Sequence, residues 1–316
     1  MKHIVIATVN PEICKTFLDT FLFFEKDKKD YLVHVFPDER NSDIKDFAFV
    51  KEYPYATLHE EKKVMTNLHE FISPCTGTEI AYTLYQTHHY KLAVLLYLFQ
   101  RSSLEKVFFL DDDTILLRDI SSLFENEKKY VGFYMRSYLY YFHKDSQASM
   151  EEFEEFQKIT KLDRSKLQES DKFIKIGQYN AGHFLFTFDR EGDFLEILKD
   201  FYRNTYLKER FFENVWDLEK KQKKEVEFYN KSFFDEQKFL TFFFLSKSED
   251  VDTVFLNKDS PVYMSYKEDE FLEDSKEDFQ KKTRKNSIIH YVSKEKIQRA
   301  KKFLKLHREF NRYSLF

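Results

Sequence analysis

The stretch from His3 to Asp38 does most to limit what this chain can fold into. An apolar run, Ile4-Val-Ile-Ala, is followed by Asn10 and Pro11, a helix-start signal in which Asn caps free N–H groups and Pro takes the first helical position. Ile13, Phe17, Leu18 and Phe21 then recur at helical spacing. Tyr31-Leu-Val-His-Val-Phe, short, β-branched and closed by Pro37-Asp38, reads as a second strand. Strand, helix, strand at this spacing opens a parallel, right-handed α/β sheet. With 316 residues the chain can bury a large core, and one α/β domain with appended segments is expected.

Further along, Thr78 to Arg101 reads as a long helical stretch, and Lys106-Val-Phe-Phe-Leu as the strand that follows it. More strands are expected at Tyr130 to Met135, His183 to Phe188, Thr253 to Leu256 and Ile288 to Val292, with helices between them. The charged stretch from 144 to 175 reads as a helical insertion. No internal repeat is visible.

Composition mainly excludes. A net charge of −4 argues against nucleic acid as the main partner, since backbone phosphates call for a strong basic excess. Cys14 and Cys75 fit no metal-ligand spacing and are expected as free thiols in a reducing compartment. The apolar start is too short for a signal-peptide core, and Leu92 to Phe99 is too short to span a bilayer, so the cytoplasm is the expected location. The 37 Phe and 20 Tyr, set against 5 Gly and 5 Pro, are assigned to codon bias rather than to chemistry. From Lys294 to Phe316 eight basic residues accompany two acidic ones, with Ile297, Ala300, Phe303, Leu304 and Phe310 at helical spacing. This segment reads either as a helix docked on its own domain or as a basic amphipathic helix lying on an anionic membrane surface or on an acidic partner.

Four short motifs can carry chemistry. In the first, the strand Val107 to Leu110 empties into Asp111-Asp112-Asp113 and continues as Thr114-Ile-Leu-Leu. Carboxylates gathered at the carboxyl end of a buried strand are costly without a cation, and this edge of an open α/β sheet is where ligands bind. Alternate residues point the same way, so Asp111 and Asp113 are expected to hold Mg²⁺ or Mn²⁺ together while Asp112 points elsewhere. An acidic turn closing a hairpin is the plainer alternative.

In the second, Tyr179-Asn180-Ala181-Gly182, the small pair allows a close backbone approach to a ligand, and Asn180 can bond sugar hydroxyls; a tight turn into a strand explains it equally well. In the third, Asp235-Glu236-Gln237 opens a very apolar helix, either as a polar cap or as the group facing the sugar or acceptor hydroxyl. The fourth, Ile288-Ile-His290-Tyr-Val with Ser293 and Lys296, offers an imidazole to the same cation and a charge to a diphosphate.

Taken in order, Phe-Leu-Asp-Asp-Asp-Thr-Ile, Tyr-Asn-Ala-Gly, Asp-Glu-Gln-x-x-Leu and His-x-x-Ser-x-x-Lys resemble glycosyltransferase family 8, which includes glycogenin and the lipopolysaccharide galactosyl- and glucosyltransferases. The resemblance runs from the first strand to about Lys296. It implies a GT-A fold: a mixed, mostly parallel central sheet flanked by helices, with a catalytic domain over 1–293 and a basic C-terminal helix over 294–316. It also implies retaining transfer of a hexose from a UDP-sugar to a saccharide or glycoconjugate acceptor, with Mn²⁺ held by Asp111, Asp113 and His290.

By the same resemblance Thr8, Val9 and Asn10 contact the uridine, and Lys91 stands where the family commonly has Arg near the donor. Asp111, Asp112, Asn180, Ala181, Gly182 and Lys296 complete the donor-binding set, and Asp235, Glu236 and Gln237 are the catalytic candidates. The chain departs from the family at Ser293, usually Gly, at Ile297-Gln298, usually Pro-Trp, and at Thr241, usually Asn. A haloacid dehalogenase-type phosphatase, with its Asp-x-Asp-x-Thr pattern, fits less well, because Thr114 falls one position early. A catalytically inactive nucleotide-sugar-binding module would keep the same fold.

Overall fold

The expected opening is present. β1 (Lys2–Thr8) leads to α1 (Pro11–Phe24), and β2 (Tyr31–Pro37) lies parallel to β1. Asn10 Oδ1 accepts from the Glu12 and Ile13 N–H groups at 2.9 and 3.2 Å, so the cap forms as its sequence dictates. The structure, a computed structural model, describes residues 1–24, 30–38, 42–60, 64–76, 89–116, 120–160, 167–202, 211–217, 222–228, 235–256, 261–265, 277, 288–291, 298, 300–302 and 305.

A 3-10 helix (Ile44–Glu52) and β3 (Ala56–Leu58) follow, then α2 (Val64–Thr76) and α3 (Tyr90–Arg101). The helical stretch expected over 78–101 is therefore seen as α3, its first part lying outside the described residues. β4 (Lys106–Leu110) and β5 (Thr114–Leu116) flank the acidic triplet. Next come α4 (Ser121–Phe124), β6 (Tyr130–His143), α5 (Gln147–Thr160), β7 (Leu167–Glu169) and β8 (Phe173–Thr187). Within 144–175 only α5 is helical among the described residues, and β7 and the start of β8 are extended. The rest is α6 (Phe194–Asp200), β9 (Phe211–Asp217), β10 (Gln222–Phe228), α7 (Asp235–Ser246), β11 (Val251–Phe255), β12 (Val262–Ser265) and β13 (Ile288–Tyr291).

The main sheet runs β10-β9-β6-β8-β4-β1-β2-β3, with β11 beside β6 and β7 beside β8. Strands β3, β2, β1 and β4 are parallel, β8 pairs antiparallel with β4 and β6, and β11 is parallel to β6. Both faces are covered, which is why β4 reads as an unbroken apolar run rather than an alternating one. Val107 and Phe109 face the cluster built with α2, α3 and α7, while Phe108 and Leu110 face the one built with α1. Phe109 stacks on Phe184 of the neighbouring strand at 4.7 Å.

A second, small sheet decides the site. β5 pairs antiparallel with β13, which pairs parallel with β12, and the register sets His290 opposite Thr114. Sequence positions nearly 180 residues apart are thus brought together by one short ladder.

In the C-terminal segment Ala300 is buried, Lys301 Nζ lies 2.5 Å from Glu12 Oε1 of α1, and Lys302 and Lys305 face solvent. These contacts agree with the docked reading of that segment. Among the described residues no helix is long and apolar enough to cross a membrane.

Candidate active site

Asp111 follows β4 directly, and its N–H donates to the Gly182 carbonyl of β8 at 2.6 Å, extending the ladder by one bond beyond Leu110 and His183. Thr114 Oγ1 donates to the Asp111 carbonyl at 2.7 Å and closes the acidic turn. The turn therefore presents Asp111 and Asp113 on one side. The side chain of Asp112 leaves the other way, accepting a short hydrogen bond from the Thr8 hydroxyl. Thr8 and Asp112 meet because β1 and β4 are neighbours, paired up to Ile6 and Leu110, so their carboxyl ends finish together. Val9 is exposed beside them.

His290 Nε2 reaches into the gap between the two ligand carboxylates, 3.1 Å from Asp113 Oδ1 and 3.5 Å from Asp111 Oδ2. One ligand atom from each of Asp111, Asp113 and His290 lies within 4.8 Å of the others. Two hard carboxylate oxygens and one imidazole suit Mn²⁺, and Mg²⁺ less closely because of the nitrogen. The surroundings fit an ion as well. A Cβ added to Gly182 would lie 2.6 Å from Asp111 Oδ2 and 2.8 Å from both Asn180 Oδ1 and His290 Cε1, so only glycine leaves room for the triad. Burial disfavours a charged His290, but Asp113 and then Asp111 outweigh it and raise its pKa.

Lys91 enters from the first turn of α3. Its ammonium is ion-paired with Asp111, donates to the Ala181 carbonyl at 3.2 Å, and lies 4.0 Å from Glu236 Oε1. Burial works against its charge, yet Asp111 and Glu236 hold its pKa above the usual lysine range. Lys91 thus ties the metal turn, β8 and α7 into one cluster.

Tyr179-Asn180-Ala181-Gly182 is not a turn. It lies within the long strand β8, whose pairing with β6 shifts register on either side of Tyr134 and Met135. The Tyr179 N–H bonds the Thr241 hydroxyl of α7 at 2.9 Å, and Asn180 Oδ1 accepts from the Gly182 N–H at 2.6 Å. Asn180 therefore shapes the backbone that cradles Asp111. Gln237 Nε2 donates to Gln178 Oε1 at 2.5 Å, with both side chains buried. No sequence motif marks Gln178, although its spacing of two from Asn180 sets both on one face of an extended strand.

Of the expected residues, Thr8 and Asp112 meet beside the acidic turn, and Lys91, Asp111, Asp113, Asn180, Ala181, Gly182, Glu236 and His290 converge through these contacts, while Asn10 caps α1 and Gln237 pairs with Gln178. Asp235 begins α7, and its side chain lies outside the described residues, as does Lys296. His183, which the sequence presents only as the first residue of an apolar strand, also adjoins the triad. Its ring packs edge-on against His290, with centroids 5.5 Å apart and planes at 86°, and burial holds its pKa well below the usual histidine range.

No protein-family profile matches the sequence, and no curated protein matches it. Among solved structures the chain is similar to mouse xyloside xylosyltransferase 1 in its apo form, with a TM-score of 0.50 and 12% identity over 92% of this chain and 97% of that one. It is also similar to the WbbM bifunctional glycosyltransferase, with a TM-score of 0.49 and 14% identity over 97% of this chain, and it spans 51% of that protein, about half its length. A third likeness is to the galactosyltransferase LgtC in complex with donor and acceptor sugar analogs, at a TM-score of 0.45 and 13% identity over 97% of this chain and 95% of that one. The xylosyltransferase likeness fixes the fold. This chain has the GT-A glycosyltransferase fold that its motifs implied.

Proposed function

We propose that this protein is a metal-dependent glycosyltransferase that moves a hexose from a UDP-sugar to a saccharide or glycoconjugate acceptor, with retention of configuration. The observation that carries the reading is the triad of Asp111, Asp113 and His290 at the carboxyl end of β4, next to the end of β1, within a GT-A fold. Ligands of open α/β sheets bind at this edge.

In this reading Asp111, Asp113 and His290 hold Mn²⁺ or Mg²⁺. The ion supplies charge stabilisation for a diphosphate leaving group. Thr8, Val9 and Asn10 line the uridine side, with Asp112 oriented by the Thr8 hydroxyl. Lys91 brings a permanent positive charge to the donor from within the cluster, and Lys296 adds a second one for the diphosphate. Glu236 and Gln237, at the start of α7, face the sugar, and Asp235 or Glu236 is the carboxylate nearest the reacting carbon. The amide of Gln237 is oriented by Gln178, which fixes its donor hydrogens and leaves its oxygen available to a hydroxyl. An acceptor held at a membrane would engage the solvent-facing lysines of the C-terminal segment, and truncation after Arg299 would then reduce vesicle binding.

Incubation with Mn²⁺ and single UDP-hexoses tests the reading through release of UDP. One UDP-hexose should be consumed, the Asp235→Asn, Glu236→Gln double variant should lose at least about 100-fold in rate, and Asp113→Ala should be inactive. Release of UDP at the wild-type rate by the double variant would remove these carboxylates from the chemistry.

A further inference from the structure

We propose that His183 is a positioning residue of the metal site, holding the His290 ring by a hydrogen bond to its Nδ1 while Nε2 faces the cation. The inference rests on the metal reading given above and extends it beyond the three ligands.

His290 Nε2 is the nitrogen turned towards Asp111 and Asp113, which leaves Nδ1 on the protein side of the ring. That Nδ1 is buried and has no hydrogen-bond partner among the described residues. A ligating imidazole in this condition is incomplete. Its second nitrogen ordinarily carries a bond that fixes the tautomer and the ring angle, and losing that bond lowers metal affinity by about 10- to 100-fold.

His183 supplies a polar group at that place. It is 0% exposed, and neither of its ring nitrogens has a partner at hydrogen-bonding distance and angle among the described residues, although the Gly182 backbone favours the protonated ring. On one side its ring meets Phe133 edge-to-face at 5.0 Å, and on the other it meets His290 at 5.5 Å and 86°. Two orphaned imidazoles in contact explain one another. Rotation of the His183 ring, with His290 kept in place, would turn the edge contact into an N–H···N bond and satisfy two buried nitrogens at once, each of which otherwise carries a desolvation cost of about 1 to 3 kcal/mol. A neutral imidazole has one donor and one acceptor nitrogen, so it can serve Nδ1–H of His290 without adding a positive charge beside the cation. An apolar residue would fill this interior strand position more cheaply, so packing alone does not account for a histidine here.

Mn²⁺ alone, titrated calorimetrically into the full chain, provides the test. His183→Val and His183→Phe should each bind Mn²⁺ about 10- to 100-fold more weakly than wild type. Their metal-free thermal midpoints should fall, because loss of the N–H···N bond leaves His290 Nδ1 buried and unpaired. His183→Asn, which keeps a polar group, should fall between. Wild-type affinity in either apolar variant would overturn the proposal. Should neither apolar variant fold, nitrogen NMR of the histidine-labelled wild type with Mg²⁺ decides, since the absence of a hydrogen-bonded His290 Nδ1 would equally overturn it. A wild-type chain that binds no Mn²⁺, and behaves as Asp113→Ala does, would overturn the metal reading itself, and that result differs visibly from an effect confined to His183.

Discussion

Gly182 is the residue whose replacement should do most damage for its size. Alanine there brings a methyl group against Asp111, Asn180 and His290 within 2.8 Å, and two of these are proposed ligands. Gly182→Ala should cost about 1 to 3 kcal/mol through overpacking and weaken Mn²⁺ binding by about 10-fold or more. Calorimetry with Mn²⁺ and thermal denaturation measure both, and unchanged binding would mean that the triad is not the ion's seat. Sequence alone marks Gly182 only as small. Its partners lie on other strands, and the requirement for glycine becomes visible once β8 is set beside the acidic turn.

At the scale of elements, the contact between α7 and β8 positions the catalytic candidates. Thr241 accepts from the Tyr179 N–H at 2.9 Å and donates to the Gln237 carbonyl at 2.8 Å, joining the helix to a strand whose ladder is irregular there. Thr241→Val keeps the shape and removes the acceptor, leaving a buried N–H unpaired, so a loss of about 1 to 3 kcal/mol is expected in urea denaturation. A neutral result would show that the clamp is dispensable.

Strands β1 and β2 carry a second device. His3 Nδ1 meets His34 Nε2 at 2.9 Å, and His34 Nδ1 meets Nε2 of His59, just beyond β3, at 2.9 Å. Burial first, then His59 and His3, push the His34 pKa down from its ordinary 6.5 to about 3. The folded chain therefore refuses a proton that the unfolded chain accepts below 6.5. Stability contributed by neutral His34 is complete above pH 6.5 and falls between 6.5 and about 3, at up to about 1.4 kcal/mol per pH unit. His34→Leu should flatten the decline between pH 6.5 and 5, and parallel pH profiles for variant and wild type would contradict this account.

For the whole molecule, the parallel half of the sheet was legible because its parts are local. The Asn-Pro cap, the helical spacing of α1 and the apolar runs of β1, β2 and β4 all follow from neighbours in sequence. The antiparallel half was less so. Strands β6 and β8 exceed their expected lengths because apolar periodicity fails where pairing shifts register, and of the two readings of the Asn-Ala-Gly stretch the tight turn is excluded, since it is strand. In the site, the carboxylates of Asp111 and Asp113 and the imidazole of His290 could be named from residue type and order. The partnership of Gln178 with Gln237, and of His183 with His290, depends on packing between distant segments and left no local signal.

Mn²⁺ and a uridine nucleotide are proposed to share the edge formed by β1 and β4. The most direct measurement is the thermal midpoint of wild type and Asp113→Ala with Mn²⁺ against a panel of UDP- and GDP-sugars. A rise for wild type with Mn²⁺ and one UDP-sugar together, absent in Asp113→Ala, is the predicted result. The same rise without Mn²⁺, or in the variant, or no rise with any nucleotide sugar, would contradict it.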